Sequence, residues 1–270
     1  MSVSTVNDQW AVADFPTPTS PAAIVLERVT KRFDGDGVRP AVLQDVSLTV
    51  AQGEFVCLLG ASGCGKSTLL SLVAGLERPS SGTVEVPGGR AALMFQESAL
   101  FPWLTAGQNV ELALKLRGVP RRDRRDEAER LLSLVHLAGN HRARIHELSG
   151  GMRQRVALAR ALAQEAQVLL MDEPFAALDA ITRDVLHDEL SRVWVENGLS
   201  VVFVTHNVRE AVRLGQRVEL MSSRPGRFVR RWHVDIDGPR RIESPDVAAL
   251  AAEITEDLRR EIRRHAGGTK

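Results

Sequence analysis

The chain has 270 residues, 44% apolar and 26% charged, enough for one large or two small globular domains with a sizeable core. A net charge of +1 gives no global field to attract nucleic acid or an anionic membrane, and no apolar run approaches the ~20 residues of a membrane span. Two cysteines, Cys57 and Cys64, exclude a disulfide framework and fit a reducing compartment.

Residues 1–22 hold Pro16, Pro18 and Pro21 among Ser and Thr, with neither a basic start nor an apolar core. They read as a disordered tail and not as a signal peptide. Residues 24–29 form a first strand, followed by Phe33 and a turn-rich stretch containing Gly35 and Gly37. Residues 42–50 alternate as a second strand, and Gln52-Gly53 turns the chain into the apolar run 54–59. Gly60-Ala61-Ser62-Gly63-Cys64-Gly65-Lys66-Ser67 comes next and fits the phosphate-loop pattern G-x-x-x-x-G-K-[ST]. Thr68 opens a helix-like run that ends at Gly75.

The chemistry asks for these residue types at this spacing. Successive backbone N–H groups ring a compact polyanion only where side chains stay clear and φ can turn positive, hence the glycines. The helix beginning near Lys66 points its N-terminus at the anion. Lys66 adds a mobile charge for the outer phosphates, and the Ser67 hydroxyl suits Mg²⁺. Strand, glycine loop and helix in that order distinguish the motif from a generic glycine turn.

Further on, 82–86 is a short strand closed by Pro87-Gly88-Gly89, and 91–95 is a buried strand with Gln96 at its exit. From 97 to about 151 the pattern turns helical, with Ala128, Leu131, Leu132 and Val135 on one face. Residues 168–171 are a continuous apolar strand that runs into Asp172-Glu173-Pro174. Residues 201–204 are another, followed by Thr205-His206, and 218–222 one more. Residues 246–265 read as an amphipathic terminal helix. In an open α/β sheet such strand exits converge at the carboxyl edge, where ligands bind. There Asp172 suits Mg²⁺, Glu173 could polarise an attacking water, and His206 could meet the γ-phosphate or that water.

Leu148-Ser149-Gly150-Gly151-Met152 and the run 153–162 after it resemble the signature of the ATP-binding subunits of ABC transporters, which usually reads LSGGQ. Ala177-Leu178-Asp179 resembles that family's D-loop, Gln96 its Q-loop glutamine, His206 its switch histidine and Phe33 its adenine-stacking aromatic. The resemblance spans about 23–235. It implies a P-loop NTPase cassette, with a RecA-like α/β core, an antiparallel β subdomain and a helical subdomain inserted at about 97–151. Residues 236–270 would form a helical extension. It further implies that two copies pair head to tail, each ATP clamped between one phosphate loop (Gly60 to Thr68) and the other copy's Ser149, Gly150 and Gly151, with Asp179 beside them. Mg²⁺ would rest on Ser67, Gln96 and Asp172, and Glu173, His206 and Lys66 would carry catalysis. Met152 departs from the family's glutamine and leaves the serine and glycines intact.

The stretches 101–105, 178–183 and 223–227, with Met152, are similar to the nitrate, sulfonate and taurine import group. The resemblance implies an ATPase docked peripherally on the cytoplasmic side of a membrane permease, served by a solute-binding protein. Importers for cyanate, bicarbonate or thiamine precursors would look alike here. DNA-repair and translation ATPases are the competing class, but the insert is short, lacks heptads and belongs to a single cassette. A simple P-loop kinase would have no use for a second anion site. Residues 100–104 read either as helical-lobe core or as a groove for a permease helix. The basic clusters 117–125 and 224–231 read as solvated faces or as permease or lipid contacts. His136, His141 and His146 do not share a helical face, which argues against a metal site.

Overall fold

The computed structural model describes residues 21–33, 40–176, 178–236 and 240–266. The tail up to residue 20, the stretch at Gly35 and Gly37, and Ala177 lie outside the described residues. Three strands form an antiparallel sheet in the order β2 (Leu43–Ala51), β1 (Ala22–Lys31), β4 (Ser81–Glu85). Six form a second sheet in the order β5 (Ala91–Met94), β6 (Val168–Asp172), β7 (Ser200–Val204), β3 (Phe55–Gly60), β8 (Arg217–Met221), β9 (Phe228–His233). All neighbours in it run parallel except β9, which is antiparallel to β8.

The central strands are continuous apolar runs because both of their faces are covered. Phe55, Cys57 and Leu59 of β3 join one core, with Leu169 and Met171 of β6 and Val201 and Phe203 of β7. The alternate residues Val56, Leu58, Leu170, Val202 and Val204 join a second core, together with the antiparallel sheet and Leu69, Leu70, Leu72 and Val73 of α1 (Lys66–Val73). Cys57 and Cys64 are both buried and free, and burial pushes the Cys57 thiol well above its ordinary value.

Between β5 and β6 come α2 (Ala106–Arg117), α3 (Arg124–Leu134) and α4 (Gly150–Leu162), packed on one another, with α4 also against β5. Ala128, Leu131, Leu132 and Val135 are buried there, as the helical face predicts. Thr105 starts α2 with a reciprocal capping box to Gln108. Beyond β6 the helices are α5 (Ala180–Asn197), α6 (Val208–Leu214) and α7 (Pro245–Ala266), and α7 packs on α6. Among the described residues no helix is long and apolar enough to cross a membrane.

The solvated-face reading of the basic clusters fits Arg121, Arg122, Arg125, Arg224 and Arg227, which are exposed, but needs correction for the others. Residues 228–233 are a strand, not a basic loop, and Arg230 bonds Asp257 and Glu253 of α7. Arg231 reaches the buried Glu219, which also accepts from Arg217. In the first cluster, Arg117 bonds the Ala163 carbonyl and Arg124 the Val119 carbonyl. Apart from Arg124, these arginines bond acceptors supplied by distant parts of the chain.

Candidate nucleotide site

Gly60 ends β3 and Gly65 precedes α1, so the phosphate-loop segment bridges the middle of the large sheet and a helix N-terminus. Gly65 has φ +103°, and a Cβ there would lie 2.7 Å from Leu43 Cδ2. Any L side chain at this position would be strained twice over. Like α3, α1 has no side-chain cap, whereas Thr105, Ser149, Asp179 and Asn207 cap α2, α4, α5 and α6. Its first-turn N–H groups are thus left for an outside acceptor. Lys66 is buried, and its Nζ donates to the carbonyls of Gly60 (2.8 Å) and Ala61 (3.1 Å). A cation held by neutral carbonyl dipoles and, at 3.6 Å, the Cys64 sulfur is poised to turn toward an anion.

The strand exits converge as the parallel topology requires. Asp172 ends β6 opposite Val204, the last residue of β7. It is 9% exposed, and burial pushes its carboxyl above the usual range, only partly offset by a hydrogen bond from Ser67. The adjacent Glu173 raises it further and Lys66 lowers it. A hydroxyl and a buried carboxylate side by side, crowded by a second carboxylate, suit a hard divalent cation that also takes phosphate oxygens and water. Glu173 has φ +44°, with its N–H bonded to the Val204 carbonyl at 3.0 Å. Its Oε2 lies 3.0 Å from Nδ1 of His206, which follows β7 by two residues. The structure therefore brings together Lys66, Ser67, Asp172, Glu173 and His206.

The other candidates make different contacts. Phe33 is 43% exposed, with Lys31 Nζ over its ring at 4.6 Å from the centroid, so it is not a core side chain. Gln96 is exposed past the end of β5, and its carbonyl accepts from Gln154 Nε2 of α4 at 2.7 Å. Ser149 accepts from the Met152 N–H at 3.2 Å, capping α4 at an exposed N-terminus. The Met152 side chain packs against the main core. A Cβ on Gly151 would meet Leu178 at 2.8 Å, so the signature and the D-loop segment touch closely. Asp179 caps α5 through the Thr182 N–H at 2.9 Å, and that bond holds its carboxyl below the usual range. Of residues 100–104, Leu100 packs on the core, while Phe101 (36% exposed) and Trp103 (69% exposed) pair at 5.5 Å on the surface. The sequence reading left out Arg183 and Asn207, which line a small cavity with Glu173 and His206. For Asn207 the signal was present, a cap residue between a strand exit and a helix. For Arg183 there was none, because it lies within α5.

A parallel sheet with a glycine loop opening onto an uncapped helix defines a P-loop nucleotide-binding cassette. A family model described as ABC transporter matches residues 43–176. The taurine import ATP-binding protein TauB of Chromobacterium violaceum is 46% identical over 253 residues, covering 88% of this chain and 96% of TauB. The nitrate import ATP-binding protein NrtD of a Synechocystis species is 47% identical over 213 residues, covering 76% and 80%. A solved dimeric, post-hydrolysis state of the ATP-binding cassette MJ0796, bound to ADP and Pi, is similar with a TM-score of 0.72 and 32% identity. That likeness covers 79% of this chain and all of the other. The chain belongs to the ABC transporter family and is one of its ATP-binding ATPase subunits.

Proposed function

We propose that this protein powers import of a small sulfonate, taurine-like or nitrate-like anion through a membrane permease, by ATP-driven pairing of two copies. One cassette domain (23–235), with the helical subdomain (about 97–151) inserted, would carry this, and 236–270 would brace it. The observation that carries the catalytic half is the contact of Glu173 with His206, beside the buried Asp172 and the Lys66 loop. In this reading the loop N–H groups and Lys66 hold the triphosphate. Glu173 accepts the proton of a water attacking the γ-phosphorus in line with the leaving oxygen. His206 orients Glu173 and donates toward the γ-phosphate. Ser67 and Asp172, with Gln96, would hold Mg²⁺, which neutralises charge on the phosphate oxygens. Phe33 offers its exposed ring to the base.

Ser149, Gly150 and Gly151 give the second anion site, an exposed helix N-terminus for the partner copy's nucleotide, with Asp179 at the same seam. The dimeric state of the MJ0796 cassette supports pairing of this kind. The exposed Phe101–Trp103 pair supplies an apolar foothold for a permease helix. In this reading the protein sits peripherally on the cytoplasmic face, with a solute-binding protein reached only through the permease. The similarity to TauB and NrtD supports the anion class.

The test is growth of a strain lacking the gene on taurine or an alkanesulfonate as sole sulfur, or nitrate as sole nitrogen, each at low concentration. Loss of growth on one source is expected, restored by the intact gene and not by Glu173→Gln. Unchanged growth on all three sinks the solute class.

A further inference from the structure

We infer that His187, Glu210 and Thr205 form a buried chain of hydrogen bonds that positions His206, with the Thr205 hydroxyl as its inner end. The inference rests on the role proposed above for His206 and adds residues that touch neither nucleotide nor water. His187 in α5 is fully buried, and its Nε2 lies 2.6 Å from Glu210 Oε1 of α6. Glu210 is 5% exposed, and its other oxygen accepts from the hydroxyl of Thr205, which is 2% exposed. A carboxylate only accepts, so both neighbours donate to it. Thr205 Oγ1 in turn accepts from the Asn207 N–H at 3.0 Å, and the Thr205 N–H is bonded to the Leu58 carbonyl of β3 at 3.2 Å.

These bonds bracket His206. Its side chain is 66% exposed and its one hydrogen bond is to Glu173. Packing therefore does not fix the ring; the backbone on either side does. Thr205 and Asn207 are that backbone, and the hydroxyl between them ties both to Glu210. Burying a carboxylate and an imidazole has a solvation cost that a pair of apolar residues would avoid. His187 Nδ1 has no hydrogen-bond partner among the described residues, and Asp184 Oδ1, the carboxylate oxygen facing it, lies at 3.9 Å. The α5–α6 contact also has a second set of bonds. Arg213 of α6 bonds Asp184 and Asp188 of α5 at 2.6 and 2.8 Å. A costly buried chain, alongside a second set of helix-to-helix bonds and ending beside an exposed histidine, is what a positioning device looks like.

The test is steady-state ATP hydrolysis by the purified full chain with Mg²⁺, comparing Thr205→Val, Thr205→Ser and His206→Ala. Valine keeps the shape and removes the hydroxyl, while serine restores it. We expect Thr205→Val to lower kcat roughly tenfold, the scale of one buried hydrogen bond to a charged group, with KM for ATP within about twofold. Thr205→Ser should recover most of the rate. On the His206→Ala background, Thr205→Val should cost nothing further, a result that general structural damage would not give. Full activity of Thr205→Val, or equal loss in valine and serine variants, overturns the positioning role. Full activity of His206→Ala instead overturns the role of His206 itself, and the two failures are told apart. Should Thr205→Val not fold, His187→Gln against His187→Leu makes the same comparison from the outer end: glutamine keeps a donor for Glu210, and only leucine should slow kcat.

Discussion

Two of this molecule's groups of buried charge are built on opposite plans. Beside β8, Arg217 bonds Glu54 at 2.7 Å, Glu219 at 2.8 Å and the Thr49 carbonyl at 2.7 Å, and Arg231 closes on Glu219 from β9. Every charge there meets an opposite charge of the same chain. At the carboxyl edge of β3 and β6, Lys66 meets only carbonyls and a thiol, and Asp172 and Glu173 crowd each other. Buried charge as such does not mark a site. What marks it is charge whose natural partner is not supplied by the chain. The first group is finished by folding; in the function proposed above, the second is finished by a ligand.

The sharpest way to break this comparison is Glu173→Gln. If the carboxylate takes the proton of the attacking water, kcat for ATP hydrolysis should fall by about 10²–10⁴. ATP binding should persist, and sizing with ATP should trap a dimer. A near-normal rate would move Glu173 into the finished class. The counterpart is Arg217→Met, which leaves Glu219 buried at 1% exposure without its main partner. It should cost about 3–5 kcal/mol in chemical denaturation and leave the hydrolysis rate of the folded fraction unchanged. Burial already raises the Glu219 carboxyl against the pull of Arg217 and Arg231. In the variant its folded pKa should rise further above the unfolded value. The folded state then binds the extra proton, so the deficit should shrink as pH falls through that raised pKa and be complete above it. A deficit that grows on acidification would show that the charge was never the cost. Next in size is Lys66→Ala, for which titration should show ATP affinity weakened by about 1.5–3 kcal/mol. Its melting temperature without nucleotide should barely move, because Lys66 holds the fold only through loop carbonyls.

The same contrast explains what could be read from the sequence. Loop, strand exits and signature were legible because each is a short contiguous run whose residue types state their chemistry. The central strands were legible because burial on both faces leaves an unbroken apolar run. β9 was not: Phe228-Val229-Arg230-Arg231-Trp232-His233 shows a charge cluster, and its neutralising partners Glu219, Glu253 and Asp257 lie 12 to 27 residues away. The His187–Glu210 pair was hidden for the same reason, each residue sitting inside a helix with nothing local to distinguish it. Phe33 was ambiguous until its exposure and its contact with Lys31 were known. Finished charge depends on tertiary pairing and is silent in sequence, whereas unfinished charge gathers in motifs.

The smallest expected effect tests the comparison most closely, because it holds the local chemistry constant. Thr105, half-buried, and Ser149, exposed, are both N-cap residues, each accepting from a backbone N–H at 3.2 Å, on α2 and α4 of the same helical region. Alanine at either should cost about 1 kcal/mol, near 3 °C in melting temperature for a chain of this size. On stability alone the two variants should be indistinguishable. The α2 cap is completed reciprocally by the Gln108 side chain, which bonds the Thr105 N–H at 3.0 Å, so that end is closed. The α4 cap has no such return bond, and two glycines follow it, leaving the helix end open to an anion from outside. Ser149→Ala should therefore weaken ATP-driven dimerisation, measured by light scattering in the Glu173→Gln background, and Thr105→Ala should not. Equal dimerisation by both would mean that the signature helix end is capped for folding alone.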